Sequence, residues 1–397
     1  MTTINKRQVV KSEFAKETAG QRSGMNNTTM SGNPTISFDE QQSEKTAPCE
    51  LMGRYIDLMK QPRITWTSHP RLDRVLGKGG QGVVFLSERR GADGFTIPIA
   101  LKFFSPERFE DTKSYEAAMS RIAKVAAEIA LIQNDKLLNV IDFYDRDRIR
   151  VRAMEWIDGF DLRSVLDNER LASIEDRVSQ NRWQYINDVL VTSGEKQPRM
   201  KPGVAVAIVR DCLDGLAALH RAGIVHSDVK PGNIMLKMNG HAKLIDTGSA
   251  FNVLDPPSSR ACTPNYAAPE VLDGKELTPR SDLASLGYVL IELLSGKPLF
   301  TGINGYKELL NAKRTIHQNL PALLPEEVAV NPLLTEFCRR LINPDPALRF
   351  PHAEAAELGD VGAAAFQRQL VRSNLSSEYA NELRVWLLEL RELVESE

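Results

Sequence analysis

The run His226-Ser227-Asp228-Val229-Lys230-Pro231-Gly232-Asn233, followed by Asp246-Thr247-Gly248, gathers two acids, a lysine and an amide into one short stretch of chain. Asp228 can orient a hydroxyl and accept its proton, and Lys230 can neutralise a phosphate. Asn233 and Asp246 offer the hard oxygen donors that suit magnesium. Phosphoryl transfer from a nucleotide asks for this set, because it needs positioning and charge neutralisation more than covalent chemistry. The offsets of Asp, Lys and Asn, with Asp-x-Gly after a turn-forming Asn239-Gly240, are unlike those of an ordinary polar loop.

Further motifs flank this core. Gly77-Lys78-Gly79-Gly80-Gln81-Gly82 lies between two apolar, β-rich runs, and its glycines let backbone approach phosphate oxygens closely. A dinucleotide-binding turn shares this spacing but opens a helix, whereas Val83, Val84 and Phe85 continue here as a strand. Ile99-Ala100-Leu101-Lys102 follows, then a helical stretch carrying Glu128, then Met154-Glu155-Trp156-Ile157-Asp158-Gly159. Downstream stand Cys262-Thr263-Pro264-Asn265-Tyr266-Ala267-Ala268-Pro269-Glu270, Ser281-Asp282, and Asn343 to Arg349. A surface charge or a plain strand-to-helix turn explains several of these singly; their order in the chain is what sets them apart.

In that order the motifs resemble the eukaryotic-type (Hanks-type) serine/threonine protein kinases, over about residues 70–355. The resemblance implies an α+β, bilobal fold with a small β-rich lobe (70–157) and a larger helical lobe (158–355). It implies ATP and Mg2+, with Mn2+ as a substitute, and protein substrates with Ser or Thr acceptors, the protein itself included. Asp228, Lys230, Lys102 and Glu128 would be catalytic, with Glu128 pairing Lys102 and Glu116 as the fallback partner. Asn233 and Asp246 would hold the metal. Gly77, Lys78, Gly79, Gly80, Gln81 and Gly82 would cover the phosphates, and backbone groups of Glu155 and Ile157 would meet the adenine edge. Met154 would border the back of the pocket and Asp161 would sit near the ribose. Leu76, Val84, Ala100 and Met235 join the nucleotide-binding set on the same ground. Thr263 would bridge Asp228 and Lys230, Glu270 would pair with Arg349, and Asp282 would brace the catalytic loop.

Two departures from the pattern have consequences. Ser227 stands where such kinases carry an arginine that binds a phosphorylated activation segment, so phosphate on Ser258 or Ser259 is expected not to order that segment. Thr247 replaces a phenylalanine and is expected to couple the lobes more loosely. The alternative these departures keep open is a nucleotide-binding pseudokinase that acts as a scaffold. A small-molecule kinase shares the Asp-x-x-x-x-Asn loop, but that group lacks the Thr-Pro-x-Tyr-x-Ala-Pro-Glu segment.

At 397 residues the chain has room for two to three cores, and 42% hydrophobic with 26% charged residues is a globular composition. A formal net charge of -2 gives no footprint for nucleic acid or a membrane surface. No apolar run is long enough to span a bilayer. Four well-separated cysteines without a CxxC pair, and an N-terminus without a signal-type apolar core, lead to the expectation of a cytoplasmic protein.

The elements that must position the motifs follow from hydrophobic spacing. Strands are expected at Leu72 to Leu76, Val83 to Leu86, Ile97 to Phe104, Leu137 to Phe143 and Ile149 to Ile157, with a helix over 114–133. Long buried helices are expected over 203–222, ending at Gly223, and from Ser281 to Leu294. Residues 1–50 read as a polar, disordered tail in which Thr28, Thr29, Ser31, Thr35 and Ser37 could accept phosphate. Residues 51–69 read as a lead-in, and residues 167–202 as an insertion whose end, Thr192 to Pro202, is a loop. The extension 356–397 carries Leu383, Leu387, Leu390 and Val394 on one helical face beside Trp386. That face suits either docking on the protein's own large lobe or self-association.

Overall fold

The computed structural model describes residues 36–37, 50–61, 71–91, 93–257, 261–373 and 378–396. Ser258, Ser259, Thr28, Thr29, Ser31 and Thr35 lie outside them. Five antiparallel strands form the first lobe: β2 (Leu72–Gly79), β3 (Gly82–Arg90), β4 (Thr96–Phe104), β5 (Val140–Arg146) and β6 (Ile149–Glu155), in the order β2-β3-β4-β6-β5. The preceding strand, β1 (Ile36–Ser37), pairs with Ala261–Cys262 of the other lobe. The turn between β2 and β3 depends on Gly82, whose φ is +138°; a Cβ there would lie 1.8 Å from the carbonyl oxygen of Phe103. No other residue fits that approach.

Helix α2 (Thr112–Ala130) packs across this sheet, and Asp111 caps it reciprocally with Ser114. A second helix, α1 (Glu50–Lys60), occupies part of the lead-in, for which no element was expected. Its Leu51, Tyr55 and Leu58 are buried in one cluster with Phe85, Phe103, Tyr115 and Met119. Apolar side chains buried to this degree contribute about 1.5–3 kcal/mol each, enough to hold a three-turn helix that would not persist alone.

The second lobe is built on two buried helices. They are α6 (Pro202–Arg221), which starts with proline at its first position, and α8 (Pro279–Ser295), which ends at Gly296 with φ +69°. Short strand pairs align the motif loops. The loop 226–233 runs from β10 (Ile224–Val225) to β11 (Ile234–Lys237), and Asp246 follows β12 (Ala242–Leu244) and precedes β13 (Phe251–Asn252). Because β11 pairs with β12 and β10 with β13, the two loops are held face to face at both ends.

The insertion carries α4 (Asn168–Glu175), α5 (Gln180–Tyr185) and a small hairpin, in which Val191–Thr192 pairs with Arg199–Met200. The stretch expected as a loop is thus partly strand, pinned by its ladder. The C-terminal helix (Tyr379–Ser396) lies on the chain's own large lobe, against α4 and α6. Leu383, Trp386, Leu387, Leu390 and Leu393 are buried there, so the face a partner would need is turned inward. Leu393 takes the docked position expected of Val394. Two glycines admit this helix: a Cβ on Gly203 would strike the Tyr379 ring, and one on Gly240 would strike the Ala380 carbonyl. Among the described residues no helix is long and apolar enough to cross a membrane.

Glu270 and Arg349 lock the lobe from within. The guanidinium forks onto the carboxylate with two contacts of 2.6 Å, and Arg349 is 2% exposed. Ser281 Oγ donates to Glu270, while Arg349 also donates to the carbonyls of Arg280 and Asn343. Arg349→Ala should therefore lower stability by about 3–5 kcal/mol, since it strands a buried carboxylate. Urea denaturation of the two proteins measures this, and a loss under about 1 kcal/mol contradicts it.

Candidate active site

The loop carrying Asp228 is held in a conformation it would not choose alone. Ser227 has φ +71°, a left-handed geometry that costs a non-glycine residue about 1–3 kcal/mol. Asp282, on the first turn of α8 and almost wholly buried, compensates. Its two carboxylate oxygens accept the backbone N–H groups of His226 and Ser227, each at 2.8 Å, and His220 Nε2 lies 2.9 Å away. This is the bracing role expected for Asp282. His226 is also buried, with Nε2 3.2 Å from the carbonyl oxygen of Ile245. A carbonyl only accepts, so Nε2 carries the proton, and the ring ties this loop to the segment between β12 and Asp246.

Asp228 is the centre of a closed network. Its Oδ1 accepts from Thr263 Oγ1 at 2.7 Å, while Oδ2 accepts from Lys230 Nζ at 2.8 Å and Asn233 Nδ2 at 3.0 Å. Lys230 also donates to Thr263 Oγ1 at 2.9 Å. The threonine thus bridges acid and lysine, as its place in the sequence implied. Asn233 donates a further bond to the Asp228 carbonyl, so its own side-chain oxygen is left to accept.

Asp246 faces this network from the next loop, itself at φ +56°. Its Oδ1 receives Lys102 Nζ, Arg152 Nη2 at 3.4 Å and the Gly248 N–H at 3.2 Å. Burial alone would push this carboxyl up, but the Lys102 and Arg152 charges outweigh it and hold the group well below its ordinary 3.8. Burial draws Lys102 the other way, down to about 8, with Asp246 opposing the shift.

The expected partnership between Lys102 and Glu128 is not formed. Lys102 meets Asp246 and, at 2.6 Å, Gln81 Oε1, whereas Glu128 accepts from Asn252 Nδ2 at 2.8 Å. Glu116, the fallback, pairs with Arg148 at 3.0 Å. The reason is local: Asp246 supplies Lys102 with a carboxylate across the cleft, and β13 offers Glu128 an amide beside α2. Gln81 closes the arrangement by donating to Ser249 Oγ at 3.0 Å, which seats the tip of the glycine turn on the floor of the cleft.

Arg152 was not among the expected residues. It is fully buried, donates from Nη1 to Thr247 Oγ1 at 3.0 Å, and lies 5.7 Å from the Phe104 ring centroid. Among the described residues its Nε finds no acceptor. Thr247 therefore does not merely leave room where a ring was expected; its hydroxyl receives a cation from the sheet. Strand alternation held the signal, since Arg152 shares a face with Met154.

Two adjoining cavities collect the remaining residues. One, of about 560 Å3, is lined by Leu76, Val84, Ala100, Met154, Glu155, Ile157, Asp161 and Met235, with Lys102, Asn233 and Asp246 at its inner end. The other, of about 120 Å3, lies under Gly77, Lys78, Gly79, Gly80, Gln81 and Gly82 and reaches Asp228 and Lys230. Asp161 borders the larger cavity but uses its carboxylate to cap the turn at Leu162–Val165, accepting from Arg163 and Ser164 N–H groups. Glu155 lines the larger cavity, while its side chain accepts from the Asn139 N–H and Lys243 and its own N–H donates to the Asn139 carbonyl at 3.0 Å. As a metal site the donors fit: hydrogen bonds to Asp246 fall on Oδ1, so Oδ2 and the Asn233 oxygen form a hard, two-oxygen set.

Comparison with known proteins agrees with this geometry. Residues 71–358 match the family model described as the protein kinase domain. The chain is similar to serine/threonine-protein kinase PkaB of Streptomyces coelicolor, with 34% identity over 60% of this chain and 50% of that protein. It is 30% identical to serine/threonine-protein kinase PknD of Mycobacterium tuberculosis, over 74% of this chain and 39% of that one. Serine/threonine-protein kinase PknA of Corynebacterium glutamicum is 27% identical over 71% and 53%. The chain thus spans about half or less of the length of these relatives. A five-stranded lobe over a helical one, the loops of Asp228 and Asp246 clasped face to face beneath a glycine turn, and a family match across both lobes lead to one conclusion: the chain belongs to the protein kinase family.

Proposed function

We propose that this protein transfers the γ-phosphoryl group of ATP to serine or threonine hydroxyls of protein substrates, with autophosphorylation included. The observation that carries this reading is the closed network of Asp228, Lys230, Asn233 and Thr263 facing Asp246 across one cavity. Asp228 would orient the acceptor hydroxyl and take its proton. Lys230 would offset charge on the transferring group, and Lys102 would leave Asp246 for the nucleotide phosphates. Asn233 and Asp246 would hold Mg2+, or Mn2+, which would supply charge neutralisation for the phosphates. The larger, apolar-walled cavity suits the base, with Glu155 and Ile157 presenting backbone groups to its edge. Preference for Ser and Thr rests on Lys230 and Thr263, the pair that marks such kinases by resemblance. A cytoplasmic location is supported by Cys212, Cys262 and Cys338, which are buried and unpaired.

Incubation with radiolabelled ATP and magnesium, followed by phosphoamino-acid analysis, tests the reading directly. Label on serine or threonine is expected in the wild type. Asp228→Asn should reduce it by about 10²–10⁴-fold, the range of a lost general base. Equal, background-level signals from wild type and Asp246→Asn would overturn the proposal. Thr263→Val should cost about 10²- to 10⁴-fold in kcat, because two charged partners each lose a hydrogen bond worth roughly 1.5–3 kcal/mol. Thr263→Ser should recover most of that loss. Since Ser227 offers no charge to a phosphate, the double variant Ser258→Ala/Ser259→Ala should retain activity within about threefold. A folded double variant with little turnover would contradict this.

A further inference from the structure

The cavity assigned above to the base and ribose has an outer wall that comes from neither lobe core. Arg391, Val394 and Glu395, on the last turns of the C-terminal helix, line it together with Asp158 and Gly159 of the hinge. Val394 is only half-buried, because the docked face of the helix uses Leu390 and Leu393 instead. Arg391 pairs with Asp158, so the helix end is fastened to the segment that joins the two lobes.

The insertion fastens the same turns from the other side. Arg182 of α5 forks onto Glu389, with Nε 2.7 Å and Nη2 3.2 Å from the two carboxylate oxygens. Its Nη1 is 3.8 Å from Glu382, two turns back on the same face. Arg177 donates to the carbonyl oxygen of Glu392 at 3.4 Å. These contacts run along the helix from its first turn, at Glu382, to Glu392 beside the residues that border the cavity.

We propose that the last turn of the C-terminal helix, through Arg391 and Val394, forms part of the nucleotide site, and that the insertion acts to hold it there. This rests on reading the cavity as an ATP site. Val394 supplies an apolar surface to the base end, and Arg391 fixes the distance between that surface and the hinge. Arg182 acts through Glu389 and is a positioning residue. Nucleotide binding and helix docking then favour each other, with equal coupling in both directions.

Calorimetric titration of the full chain with ADP and magnesium tests this without requiring turnover. Arg391→Ala/Val394→Ala, and a chain ending at Leu390, should bind ADP roughly five- to twentyfold more weakly. Arg182→Ala should weaken it in the same direction by a smaller factor. Arg384→Ala on the same helix, whose side chain bonds Asn381 away from the cavity lining, should leave the affinity unchanged. Bound ADP should also slow amide exchange at Leu390 to Val394 in the wild type, a readout that needs no variant. A wild type that fails to bind ADP overturns the ATP-site reading. A wild type that binds, with the folded double variant binding equally and exchange unaltered, overturns this inference alone.

Discussion

Both oxygens of the Asp282 carboxylate are committed to consecutive backbone N–H groups, and the geometry of the site depends on that commitment. The Ser227 backbone is left-handed, and a serine has no intrinsic reason to stay there. Without two charge-assisted bonds from a buried helix the loop would relax, and Asp228 would turn away from Lys230 and Thr263. The acid can do this because α8 is buried along its length and cannot itself shift. His226 extends the same rigidity to the strand before Asp246, so both loops share one frame. The family's arginine is absent at position 227, yet the conformation it usually accompanies persists, because the backbone rather than the side chain is held.

Around Asp246 the charges are unequal in number. One partly buried carboxylate faces Lys102 and Arg152, and the acid that could balance the second cation, Glu128, lies with Asn252. Buried cations are tolerated only where paired and hydrogen-bonded. Arg152 meets that condition incompletely, with a hydroxyl, a weak contact to Asp246 and an orphaned Nε–H. A triphosphate is the anion such a surplus would receive.

Much of this was legible in the order of motifs. Asp282, the Glu270–Arg349 fork and the Thr263 bridge emerge as expected because each depends on residue identity at a position set by the fold. Lys102 meets Asp246 rather than Glu128 because two carboxylates compete for one ammonium, and spacing cannot say which one faces it. Arg152 was overlooked although its strand face was computable from Met154, since a charge within an apolar strand reads most simply as an edge residue. Helix α1 went unseen: Leu51, Tyr55 and Leu58 recur at helical spacing, but in a window too short to hold a helix without the sheet beneath it. On the C-terminal helix the spacing identified the docked face, and only the packed structure separates Leu393, which is covered, from Val394, which borders the cavity.

Gln81 touches Lys102 and Ser249 at once, joining a strand of one lobe to the floor of the other. A ligand reaching for the ammonium must first displace this amide, and the glycine turn has to lift as it does so. Gln81 hence acts on the speed of arrival more than on the strength of the final complex: the two bonds it gives up can be remade by water, while the lifting itself has to precede entry.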